Sequence, residues 1–392
     1  MGRAARTITI ALAALAAGAA AAAPAAGQEA PPRATPLLME VPDPPVPFRG
    51  SDGRIHLVYE LRLTNFTSGP VTVRRVQVRT PAGRVLQTLG PKAISGRLQP
   101  AGRRDADATM AASTESNLFV HVTLRTGARA PRTLTHRVTG RFAMAPPGRS
   151  VLVETGARVR VDRRPVVRVG PPLRGTNYVS ADSCCDAVRH TRAALPVNGR
   201  VWIAQRYAVD WEQLDAQGRI YAGPKEDPNS YTIYGEKVYA VAGGRVATVV
   251  EGLPDQVPGA FPENLPLAEA DGNSVILDVG GGNFVLFAHL QPGSVRVTEG
   301  QRVRRGDVIG LVGNSGNSIA PHLHVHVTNR PSLAANGLPY AIDRYTLTGR
   351  TAGTKAFDRA ESDGVVLPVR PFSPPRLVRN GLPLDQLVVD FS

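Results

Sequence analysis

Apolar residues recur at every second position along most of this chain, and no stretch shows the spacing of an amphipathic helix. Leu57, Tyr59, Leu61 and Leu63 share one face, and Leu118, Val120, Val122 and Leu124 repeat the pattern. Leu134, His136 and Val138 continue it. A period of two is that of a strand, whose successive side chains point to opposite faces. Such segments at short spacing, separated by Gly/Pro turns, predict an all-β fold. Over 51–165 they predict an antiparallel, immunoglobulin-like β-sandwich. Val71 and Val73 are out of phase with Val76 and Val78, which predicts a bulge or a bend between them. The chain has 392 residues, 42% hydrophobic and 20% charged, which excludes a mainly disordered protein. Two cysteines exclude a disulfide-framework mini-domain and a multi-cysteine zinc finger.

Punctuation divides the rest. Arg3 and Arg6 precede an apolar stretch from Ile8 to about Ala23, followed by small residues. This is the three-part pattern of an export signal over 1–27. The mature chain is then expected outside the cytoplasm, periplasmic or wall-associated, with no membrane span. Residues 28–50 read as a Pro/Ala-rich linker and 166–180, with Pro171, Pro172 and Gly175, as a connector. A second β-rich domain is expected over 181–349. Within it, Asn198-Gly199 between apolar runs is a hairpin signal, and residues 253–272, with four prolines, read as a surface insertion. From 350 to 392 the chain reads as an irregular extension with an apolar tail.

Charge separates the same regions. The chain carries 46 Lys+Arg against 32 Asp+Glu, net +14. Residues 28–165 hold +12 of this, whereas 166–392 are neutral. A basic module beside a neutral one implies docking to an anionic polymer, weakened by salt. Export argues against nucleic acid as that polymer.

Of eight histidines, three fall within five residues, in Pro321-His322-Leu323-His324-Val325-His326-Val327. Strand alternation places all three imidazoles on one face. A single strand histidine is usually structural; three on one face point to a transition metal.

Upstream lie Phe287-Ala288-His289-Leu290, then Gly306-Asp307-Val308-Ile309-Gly310, then Gly313-Asn314-Ser315-Gly316. Together with Pro321-His322-Leu323-His324, in this order and spacing, they resemble the lysostaphin/LytM family of zinc metallopeptidases over about 200–330. The resemblance implies a duplicated-hybrid-motif fold, a β-barrel or two sheets facing a groove. It also implies Zn²⁺ as cofactor and hydrolysis of peptide bonds in bacterial peptidoglycan. Position by position, it makes Asp210 and His324 metal ligands and His289 and His322 catalytic. His326 stands where the family commonly has Glu and reads as a supporting residue.

One position departs from the family. Four residues before Asp210, where the family has a ligating His, stands Arg206, which stays protonated and cannot bind zinc. Either the site is degenerate, leaving a wall-binding or amidase-activating protein, or another residue supplies the ligand. With Asn198 and Gly199 at the turn centre, paired positions sum to 397, which sets His190 opposite Tyr207 and close to Asp210. His190 is therefore the expected third ligand. The adjacent Cys184 and Cys185 read as a vicinal disulfide, with thiolate ligation of zinc as the alternative.

Overall fold

The computed structural model describes residues 34–146 and 148–391, so the expected export signal lies outside the described residues. The fold is all-β, as expected. Its N-terminal part pairs two antiparallel sheets. The first runs in the order Leu37–Glu40, Ile55–Asn65, Glu115–Leu124, Leu98–Pro100. The second runs Val151–Arg160, Thr133–Phe142, Val71–Arg79, Val85–Leu89. Leu57 is paired with Val122 and Leu61 with Leu118. That row meets Val71, Val73, Val76, Val78 and Leu134 of the other sheet in one core. The expected bulge is present: the register with Thr133–Phe142 shifts between Val73 and Arg75, and all four valines are thereby buried. Each fully buried Val or Leu contributes about 1.5–3 kcal/mol, which is why the phase slip is resolved by bending the strand.

Within the stretch read as a linker, Leu37–Glu40 and Phe48–Arg49 are strands, and Leu37, Val46 and Phe48 are buried. Segments this short carry too few alternations for a period to be read.

His136 lies in the sandwich core. Its Nδ1 faces the Ala157 carbonyl at 3.1 Å and its Nε2 accepts from the Tyr59 hydroxyl at 2.8 Å. Burial lowers its pKa from 6.5 to about 4. Between those two pH values the unfolded chain takes up a proton that the folded one refuses. Stability should therefore fall as pH drops from about 6.5 to about 4, with His136 contributing up to about 3 kcal/mol. Urea unfolding of wild type and H136Q at pH 7 and pH 4 checks this; the variant should lose less stability across that interval.

The C-terminal part is built on one open sheet. Its order is Val167–Val169, Tyr340–Thr351, Leu387–Phe391, Gly175–Ala181, Val209–Gln213, Leu323–Thr328, Phe284–Leu290, Asn273–Asp278, Gly244–Val250, Arg302–Val303. The sheet does not close, so the barrel alternative is not realised among the described residues. Its core face carries Val209, Trp211, Phe287, Leu323 and Val325. The opposite face, one residue out of step, carries the polar side chains described below.

The region after 349 is not irregular. Tyr340–Thr351 is followed by a helix, Thr354–Asp363, and a strand, Val369–Gly381. The tail strand Leu387–Phe391 lies inside the sheet between Gly175–Ala181 and Tyr340–Thr351. Prolines mask Val369–Gly381 in the sequence. They are tolerated because this strand pairs on one side only, with Tyr340–Thr351. The helix is short, buries Phe357 and Ala360, and ends at Gly364 with φ 66°, a left-handed cap that favours glycine. No helix among the described residues is long and apolar enough to cross a membrane.

The sandwich and the large sheet belong to one unit from Pro36 onward. Arg206 forms part of the join. Its Nε and Nη2 donate to Glu60 Oε1 and Oε2 at 3.0 and 2.8 Å, and its Nη1 donates to the Gly337 carbonyl at 3.3 Å. Both side chains are buried. Tyr207 adds a bond from its hydroxyl to the Val58 carbonyl.

Candidate metal and catalytic site

Adjacent strands bring the polar face together. In the pairing of Val209–Gln213 with Leu323–Thr328, Asp210 lies directly opposite His324. On the other side of that strand Ala288 pairs with His324. Regular alternation would send His289, next in line, to the core face with Phe287. Instead two residues, Ala288 and His289, stand where the partner strand supplies one, since Val275 pairs with Phe287 and Asn273 with Leu290. This bulge, with His289 at φ 61°, turns its imidazole toward the site.

His190 arrives by a different route from the one expected. The hairpin forms in the expected register, Leu195 with Trp202 and Val197 with Arg200, but ends there. No pairing reaches Tyr207, because the chain before Leu195 turns away instead of extending the ladder. His190 is held by that turn: its Nδ1 donates to the Asp182 carbonyl at 2.9 Å, and its Nε2 lies 3.2 Å from Asp210 Oδ2. Sequence reasoning missed Asp182, since a backbone acceptor leaves no signal in residue type.

The remaining contacts orient the rings. His289 Nδ1 faces the Ser315 carbonyl at 2.8 Å and His322 Nδ1 the Ala320 carbonyl at 2.8 Å. A carbonyl only accepts, so in His190, His289 and His322 Nδ1 carries a proton and Nε2 is the nitrogen turned toward the site. His322 Nε2 is 3.5 Å from Asp210 Oδ1. Ser315 reaches His289 because glycine permits a close approach: a Cβ on Gly272 would meet the Ser315 carbonyl oxygen at 2.4 Å. His324 is gripped at both ends, Nδ1 by Asp210 Oδ1 at 2.7 Å and Nε2 by His326 Nδ1 at 2.8 Å. His326 thus stands behind His324 and sets its ring.

All five histidines are buried. Burial opposes charge on Asp210, yet His190, His322 and His324 hold its carboxyl well below the usual range. Burial, with His322 and His324 nearby, pushes His289 well down, leaving it neutral. The ligand atoms of His190, Asp210 and His324 all lie within 4.8 Å of one another. Two imidazoles and a carboxylate converging on one point could share a cation, and two nitrogens plus one oxygen is a donor set used by catalytic zinc. The residues present therefore fit the metal.

These groups line a cleft of about 430 Å³. Phe261 and Leu267 of the 253–272 insertion form part of its wall, and Phe357 and Glu361 of the C-terminal helix another part. Arg206 is absent from it, its guanidinium being committed to Glu60. Cys184 and Cys185 are joined as a disulfide. The thiolate alternative therefore does not apply to this cleft, and the histidines near Cys185 are His56 and His121.

Residues 230–336 match the model of peptidase family M23. Endolysin 2638A of Staphylococcus phage 2638A is 34% identical over 109 residues, 26% of this chain and 22% of the endolysin. The chain thus spans about a fifth of that relative's length. Among solved structures, the catalytic domain of the prophage-encoded M23 protein EnpA from Enterococcus faecalis is 16% identical, covering 43% of this chain and 92% of its own (TM-score 0.26). The catalytic domain of the antimicrobial peptidase lysostaphin from Staphylococcus simulans is 20% identical, covering 42% and 88% (TM-score 0.23).

Proposed function

We propose that this chain, whose residues 230–336 match the model of peptidase family M23, is a zinc-dependent endopeptidase acting on the peptides of bacterial peptidoglycan. The observation that carries the reading is the convergence of His190 Nε2, Asp210 and His324 Nδ1. Arg206 favours a degenerate site, but the His190 imidazole beside Asp210 supports a reading in which it takes the place of the missing ligand.

His190, Asp210 and His324 would hold the metal, and His326 would keep the His324 ring in place through Nε2. When bound, zinc supplies Lewis acidity toward a carbonyl oxygen and acidifies water. His322 and His289, each held through Nδ1 by a backbone carbonyl, turn Nε2 toward the cleft, where it would accept a proton from the attacking water and, once protonated, donate a hydrogen bond or that proton to the scissile group. Their backbone anchors hold each ring in one orientation, so little reorganisation is needed during reaction. Phe261, Leu267 and Phe357 offer apolar walls to a peptide and help to exclude water. The net charge of the sandwich would add affinity for an anionic wall polymer.

The test is metal analysis of purified residues 28–392 combined with muropeptide release from sacculi. About one zinc per chain is expected, with release abolished by a chelator and restored by zinc. A protein that binds zinc but releases nothing would overturn the peptidase reading. One with neither zinc nor release would leave a wall-binding role.

A further inference from the structure

A second cluster of metal-binding atoms lies away from the cleft, between the sandwich and the loop that delivers His190. His56, on Ile55–Asn65, and His121, on Glu115–Leu124, come from paired strands. Their rings stack at 5.2 Å, and His56 Nδ1 lies 2.9 Å from His121 Nε2. Asp52 Oδ1 lies 3.0 Å from His56 Nε2. A carboxylate there fixes the proton on Nε2 and leaves the Nδ1 lone pair directed at His121. A carboxylate behind an imidazole is the arrangement that orients metal-ligating histidines. Cys185 Sγ completes the group, the three ligand atoms lying within 4.8 Å of one another. His56 and Cys185 are buried, and Phe48 stacks on His56 at 5.4 Å. Arg97 and Arg54 both lie near His121, and Arg97 is paired with Asp186 at 2.6 Å.

We propose that His56 Nδ1, His121 Nε2 and Cys185 Sγ form a second metal site, for a late first-row transition metal ion, that opens when the Cys184–Cys185 disulfide is reduced. In the oxidised chain the third donor is a disulfide sulfur, a poor ligand. A dithiol supplies the two electrons and two protons: its sulfurs become a disulfide while Cys184 and Cys185 become thiols. A divalent ion then binds as the Cys185 thiol gives up one proton, and the His121 proton moves from Nε2 to Nδ1. Thiolate plus two imidazoles is a donor set that suits zinc, cobalt and copper ions. Nothing in this site depends on the peptidase reading.

The probe is Co²⁺, because only a thiolate ligand produces a sulfur-to-cobalt charge-transfer band in the near ultraviolet, and the cleft site contains no sulfur. Oxidised wild type should take up Co²⁺ without that band. Dithiol-reduced wild type and C184S, which keeps Cys185 as a free thiol, should bind about one further Co²⁺ per chain and show it. C185S and H121A should lose both the extra ion and the band. Far-ultraviolet circular dichroism of each protein confirms folding. Absence of the band from both reduced wild type and folded C184S would overturn the proposal, as would its full retention in H121A.

Discussion

Replacing His190 with Ala should strip the chain of most of its zinc while leaving it folded. His190 is one of three candidate ligands, and its ring is held by the Asp182 carbonyl and Asp210 and lies edge-on to His324. Changes to residues that merely orient a ligand cost about 10- to 100-fold in metal affinity. Loss of the ligand itself should exceed about 100-fold, and peptide hydrolysis should fall with metal content. Zinc stoichiometry after dialysis, set beside H190A activity at saturating zinc, checks this. The comparison that matters is Arg206. Since its guanidinium faces Glu60 instead of Asp210, exchanging it should leave zinc content unchanged provided the fold survives. A fully loaded H190A would remove His190 from the ligand set.

The second large effect concerns stability. Glu60→Leu should destabilise the chain by about 3–5 kcal/mol, because it leaves the Arg206 charge buried without the carboxylate that pairs with it, its bond to the Gly337 carbonyl remaining. Arg206→Met should do comparable damage from the other side. The double variant, with two apolar side chains facing each other, should recover most of the loss, since a buried ion pair often contributes little beyond its well-packed apolar equivalent. Denaturant midpoints of the four proteins form the cycle that separates the pair from its parts. Near-additive losses would mean that Glu60 and Arg206 act independently. Arg206 thus stands at the position of a family ligand but serves the join between sandwich and sheet.

Reading strand period and residue type placed much of this architecture. Alternation alone marked the sandwich strands, and the phase slip between Val73 and Val76 announced a bulge that the register shows. The spacing of His322, His324 and His326 put them on one face of one strand, and that is where they lie. Period-2 chemistry is local, so the sequence carries it without reference to the rest of the fold. Short strands near the N-terminus and the proline-rich Val369–Gly381 escaped, since neither contains enough uninterrupted alternation.

What the chain by itself determined was the all-β class, the hairpin at Asn198-Gly199 and the histidine-bearing strand. Each follows from backbone geometry acting over a few residues. Tertiary structure alone decided how the site is assembled. Asp210 meets His324 because two strands far apart in sequence pair. His289 enters through a bulge. His190 arrives on a turn, where hairpin register wrongly put it opposite Tyr207. Arg206 leaves the cleft because a carboxylate from the sandwich, Glu60, compensates its charge elsewhere. A side chain's role here is set by which distant group neutralises it, and that pairing is a property of the packed fold rather than of any local pattern.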